Sequence, residues 1–73
     1  MGKLRVLSGR EVCSVLEAEG FSAVRRKGSH IVMQKRVGEA TTTLIVPDHV
    51  ELKMGTLSSI IRQSRLSRSL FEN

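Results

Sequence analysis

A chain of 73 residues that is 40% hydrophobic can bury one small core, close to the lower limit of what folds without disulfides or metal. Twelve Lys and Arg against seven Asp and Glu leave a net charge of +5, which favours an anionic partner such as nucleic acid, an acidic protein surface or lipid headgroups. A single cysteine, Cys13, excludes an internal disulfide and a Cys-rich zinc site, no apolar run reaches the ~20 residues of a membrane span, and Met1–Leu7 has no secretory pattern, so a soluble cytoplasmic chain is expected.

Residues 1–7 read as a lead-in whose Leu4, Val6 and Leu7 can tuck under the domain. Ser8-Gly9-Arg10-Glu11 has the form of a capping box, in which the Glu11 amide donates to the Ser8 hydroxyl and the Ser8 amide donates to the Glu11 carboxylate. Val12, Val15 and Leu16 follow at helical spacing, with Cys13 at the edge of the stripe. Gly20 supplies a left-handed cap and Phe21 can pack back on the last turn, so the spacing predicts a first helix over about residues 9–19.

Phe21–Arg26 and Ser29–Lys35 read as strands joined by a tight turn at Lys27-Gly28. Arg36–Ala40, with Gly38, reads as a polar loop. Thr41–Val46 is β-branched almost throughout and is the clearest strand, stopped by Pro47. Residues 47–53 form a loop, and Met54, Leu57, Ile60 and Ile61 place a second helix from Met54 to about Ser64. Ser67 can cap a last short turn in which Leu70 and Phe71 cover the edge of the core. The expectation is one α+β domain over residues 1–73, a two-layer α-β-β-β-α arrangement with both helices on one face of a three-stranded antiparallel sheet.

The chemistry concentrates in Arg25-Arg26-Lys27-Gly28-Ser29-His30, where three positive charges run into a tight bend and one group that titrates near neutrality. No glycine-rich phosphate loop, metal-ligand spacing or Ser-His-Asp arrangement is legible, so neither a metal nor another cofactor is expected. Between Gly20 and Gly38 five basic residues (Arg25, Arg26, Lys27, Lys35 and Arg36) occur with no acidic one. Such a span is either a solvated edge that discourages sheet aggregation or a phosphate-binding field, and the missing carboxylates favour the field. Phe21 and Phe71 are placed for packing and there is no Tyr or Trp, so an RNA contact would rest on backbone charge and shape rather than on base stacking. His30 is the candidate general acid or base. Ser29 could bond a phosphate oxygen or merely close the turn, and His49 is either a plain loop residue or an RNA contact.

These residues, in this order, resemble the HicA-type messenger-RNA interferase toxins of bacterial toxin–antitoxin pairs. The resemblance runs through Ser8 to Glu11, Gly20-Phe21, the signature Lys27-Gly28-Ser29-His30, Val46-Pro47-Asp48-His49, Gly55-Thr56-Leu57 and Ile60-Ile61-Arg62-Gln63. Asp48, where basic residues are common, and a somewhat long 36–42 loop depart from the pattern. The resemblance implies a double-stranded-RNA-binding-domain-like fold, metal-independent endoribonuclease activity on mRNA, and a HicB-type antitoxin that covers the active surface. His30 would then be the catalytic histidine, while Arg25, Arg26, Lys27, Ser29, Lys35 and His49 are the candidate RNA-binding residues that charge and position in the chain single out. A non-catalytic module that binds double-stranded RNA is the competing expectation, since fold and charge would serve it equally well.

Overall fold

The computed structural model describes residues 2–73, so Met1 of the lead-in lies outside the described residues. Helix α1 (Gly9–Ala18) is followed by strands β1 (Ser22–Lys27), β2 (His30–Val37) and β3 (Ala40–Pro47), then helix α2 (Met54–Ser64) and a 3-10 turn over Arg68–Phe71. The strands form an antiparallel meander in the order β1-β2-β3. The two-layer α+β class expected from the sequence is the fold observed.

Local chemistry sets the ends of α1. Both bonds of the capping box form, from the Glu11 amide to Ser8 Oγ at 3.1 Å and from the Ser8 amide to Glu11 Oε1 at 2.8 Å. At the other end Gly20 sits at φ +100, where the Phe21 amide donates back to the Leu16 carbonyl and the Gly20 amide to that of Glu17. This pair of hydrogen bonds closes the last turn of the helix on its terminal carbonyls. α2 has no side-chain cap at its start; at its end buried Ser64 donates to the Ile61 carbonyl and accepts from the Leu66 amide.

The core joins Leu7, Val12, Cys13, Leu16 and Phe21 to Met33, Leu44 and Val46 of the sheet and to Leu52, Leu57, Ile60, Ile61 and Phe71. Met33 on β2 and Leu44 and Val46 on β3 alternate with exposed or half-buried neighbours, so the helices cover one face of the sheet and leave the other open. Three expected core contributors stay outside: Val6, Met54 and Leu70 are exposed. Ser67 does cap the last turn, accepting from the Ser69 amide, and that turn seats Phe71 rather than Leu70 in the core.

The expected Arg36–Ala40 loop does not form. Pairing continues through Arg36 with Thr41 and Val37 with Ala40, and only Gly38-Glu39 turns the chain. Gly38 at φ +61 supplies the left-handed geometry that lets two residues close a hairpin. The loop counted over residues 36–42 is therefore mostly strand.

The layers are joined most closely at Gly9. A Cβ built there would lie 1.9 Å from the Pro47 carbonyl oxygen, while the Gly9 amide donates to the His49 carbonyl at 2.9 Å. The start of α1 thus lies on the backbone that leaves β3, and the Leu52 amide, bonded to the Leu7 carbonyl at 2.8 Å, extends the seam. We expect Gly9→Ala to lower stability by roughly 1–3 kcal/mol through overpacking against unyielding backbone. Gly28→Ala, with open space around it, should cost only the ~1–2 kcal/mol of its left-handed conformation. Urea denaturation of the two variants and the wild type checks the order, and equal midpoints for Gly9→Ala and wild type would contradict the close contact.

Candidate nucleic-acid interface at the β1–β2 turn

Strand alternation and register decide which basic residues share a face with His30. Ile31 packs against the core and Met33 is buried, so His30, Val32, Gln34 and Arg36 take the open face. His30 stands on the central strand, opposite Lys27 of β1 on one side and Pro47 of β3 on the other. Directly opposed residues place their Cβ atoms about 4.5–5.5 Å apart, so Lys27 is the nearest cation to the imidazole along the sheet. The next row holds Arg25, Val32 and Ile45, followed by Ser22, Gln34 and Thr43. Gln34 Nε2 donates to Thr43 Oγ1 across that last row. His30, Lys27 and Arg25 are all exposed.

Arg26 faces the other way. It lies opposite Ile31, on the helix side, where its Nη2 donates to Asp48 Oδ2 at 2.5 Å. Arg10 of α1 reaches the same carboxylate, Nε to Oδ1, at 3.3 Å. Asp48 therefore bridges the first helix and the first strand while its own amide donates to the Ser29 carbonyl at 2.6 Å. The bond from the Arg26 guanidinium, followed by that from Arg10, holds the Asp48 carboxyl below its ordinary value. The Asp48 carboxylate is thus engaged by two arginines, one from α1 and one from β1.

Lys35 is not brought to His30. It pairs with Thr42 at the other end of the hairpin, five residues along a strand that rises about 3.4 Å per residue. Its ammonium lies 5.9 Å from the centroid of the Phe21 ring, on the helix side of the sheet. Ser29 sits in the turn immediately before His30, where its carbonyl accepts from Asp48 and, among the described residues, its hydroxyl has no hydrogen-bond partner. His49 is exposed one residue beyond Asp48, with its carbonyl tied to the Gly9 amide. The structure thus gathers His30, Lys27, Arg25 and Ser29 at one open corner, sets His49 on the adjoining loop, and turns Arg26 and Lys35 away.

A groove of about 460 Å³ runs between α1 and β1, lined by Arg10, Cys13, Glu17, Val24, Arg26 and Ile31 among others, and His30 is not part of it. The candidate site lies outside this groove, on the exposed open face of the sheet, an arrangement that suits a polymer laid across it better than an enclosed small molecule. Burial in this helix–strand seam pushes the Cys13 thiol up, the mark of a packing residue rather than a nucleophile. Among the described residues no three His, Cys, Asp or Glu side chains gather as a metal site, and no helix is long and apolar enough to cross a membrane.

Sequence reasoning missed Arg10 and Asp48 as a pair. They are 38 residues apart, and only the packing of α1 over the end of β3 makes them neighbours. The separation of Arg26 from Arg25 and Lys27 did have a signal, the two-residue period of a strand.

Fold and site together define a small basic α+β domain with an exposed histidine beside a lysine at a hairpin turn. The family model described as HicA toxin of bacterial toxin–antitoxin matches residues 9–66, and the chain belongs to that family. It is the toxin component of such a pair, a family whose members are generally mRNA interferases, and membership implies a cognate antitoxin partner. No curated protein and no solved structure matches the chain.

Asp48 and Glu11 make a pH signature. Both carboxyls are held below their ordinary values of 3.8 and 4.5, Glu11 chiefly by the bond from the Ser8 amide. A carboxyl depressed in the native state stabilises the fold above its unfolded value and loses that contribution as pH falls through the folded one. Asp48→Asn should therefore be less stable than wild type at neutral pH, with the difference closing as acid protonates Asp48. Thermal melts from neutral pH to below 3.8 check this, and a difference independent of pH would show that the two arginine bonds do not hold the charge.

Proposed function

We propose that the chain is an endoribonuclease that cleaves mRNA without a metal, in the cytoplasm, with His30 as its general acid or base. The observation that carries this reading is the position of His30. In a member of the HicA toxin family, it stands exposed on the open face of the sheet, directly across the register from Lys27 and one row from Arg25.

RNA carries its own nucleophile. His30 would take the proton of a 2′-hydroxyl as its oxygen attacks the adjacent phosphorus, or give a proton to the 5′-oxygen as the P–O5′ bond breaks. The products are a 2′,3′-cyclic phosphate and a 5′-hydroxyl, and atoms and charge balance with no further reactant. A positioned proton-transfer group contributes about 10²–10⁴-fold. Lys27 and Arg25 would offset the negative charge that builds on the phosphate, and the Ser29 hydroxyl could donate to a phosphate oxygen. Arg26 would act through Asp48, holding the Pro47–His49 backbone against the turn that carries Ser29 and His30. His49, on that backbone, is placed to touch RNA beyond the cleaved bond. Lys35 has no part in this arrangement. A HicB-type antitoxin is the partner that would cover the open corner, and the helix–meander–helix order supports likeness to double-stranded-RNA-binding domains.

The test is cleavage of a long single-stranded RNA in EDTA. Wild type should cut to 2′,3′-cyclic phosphate ends, and His30→Ala should lose about 10²–10⁴-fold while keeping its fold, since exposed substitutions usually change stability by about 0.5 kcal/mol or less. Retention of duplex RNA by both proteins with cutting by neither would establish the non-catalytic binding module instead.

The charges separate in the same assay. Lys27→Ala should slow cleavage roughly 10–10²-fold, at or below the usual cost of losing a charge-stabilising donor because the corner is open to water. Lys35→Ala should leave the rate within about twofold, as its charge lies some five strand residues from His30. Comparable losses in both would overturn the assignment of the open face as the RNA surface.

A further inference from the structure

The two edges of the sheet are built differently. β1 carries Arg25, Arg26 and Lys27 and a bulge between Ala23 and Arg25. Charge and bulging are the means by which an edge strand turns away another strand. β3, the opposite edge, has neither. Its ladder with β2 runs through eight successive pairs without a register shift, and Ala40–Val46 contains no charged residue and no proline. Among the described residues, no backbone group of 40–46 bonds to any segment other than β2. Ile45 is 57% exposed on the open face beside this edge. A long, neutral, β-branched edge of this kind is a template for one more strand.

We propose that β3 pairs antiparallel with β3 of a second copy, about a two-fold axis normal to the sheet. The strand is self-complementary around Thr43. In that register Thr43 meets its own counterpart, Thr42 meets Leu44, Thr41 meets Ile45 and Ala40 meets Val46. Each pair shares a face, and no charge meets a like charge.

Electrostatics selects the same edge. A chain of net charge +5 repels its copy through most of its surface, above all through β1. Pairing through β3 sets the two β1 strands at the far ends of a six-stranded sheet. Five inter-strand steps of about 4.8 Å separate them, roughly three Debye lengths at physiological ionic strength. The helices of both copies stay on one face and the open faces become continuous. An acidic partner strand has less reason to choose this edge, because β3 offers no charge for it to recognise. The pairing does not depend on the nuclease reading.

Sedimentation equilibrium of the full chain at physiological salt, over a wide concentration range, tests the dimer. Wild type should show a concentration-dependent monomer–dimer equilibrium. Thr43→Lys and Thr43→Glu should each raise the dissociation constant about 3- to 10-fold, because like charges then meet on the axis. An equimolar mixture of the two variants should recover the dimer, since opposite charges now face each other. Thr43 is exposed, and circular dichroism of each variant confirms the fold. A wild type that stays monomeric throughout overturns the proposal. So does a dimer that both substitutions leave unchanged, or a mixture that associates no better than either variant alone.

Discussion

The close approach of Gly9 to the Pro47 carbonyl is the constraint on which the rest of the structure depends. Only a residue without a Cβ lets the first turn of α1 lie directly on the backbone leaving β3. From that contact the other links of the seam follow, the Gly9 amide to the His49 carbonyl and the Leu52 amide to that of Leu7. In a chain this small the hydrophobic core alone leaves a modest margin, so a seam of backbone bonds that joins the two layers carries unusual weight.

The same seam organises the charge. Because α1 starts where β3 ends, Arg10 arrives beside Asp48, and Asp48 in turn draws in Arg26 from the neighbouring end of the meander. Two of the positive charges nearest the hairpin are thereby spent on structure. Lys27 and Arg25 are left on the open face beside His30, making no ion pair among the described residues. The division of labour within Arg25-Arg26-Lys27 follows from strand alternation: a residue on the helix side can meet a fixed carboxylate, and its neighbours on the other side cannot.

An open corner of this kind would suit the chemistry proposed for it. A reaction whose nucleophile belongs to the substrate needs a proton-transfer group and a positive field more than it needs an enclosing cavity. The groove between α1 and β1 and the corner at His30 are separate places. The same exposure would leave the corner open to coverage by a partner, as an antitoxin would require.

Much of this was legible in the amino-acid sequence. The capping box at Ser8–Glu11, the Gly20-Phe21 helix end and the β-branched run before Pro47 are local signals, each realised where neighbouring residues alone determine the geometry. The hairpin at Gly28 turns one residue later than expected, over Gly28-Ser29 with Lys27 still in β1. Order of elements and fold class followed from them. The extension of β2 and β3 to a two-residue turn at Gly38-Glu39 was not legible, since Arg36 and Val37 are polar or exposed there and stay in strand because their backbones find Thr41 and Ala40. Tertiary structure alone decided that Lys35 packs by Phe21 and that Asp48 joins Arg10 to Arg26. Residue type and spacing determine local conformation through short-range bonds, whereas the pairing of charges tens of residues apart depends on how the helix layer is set over the sheet.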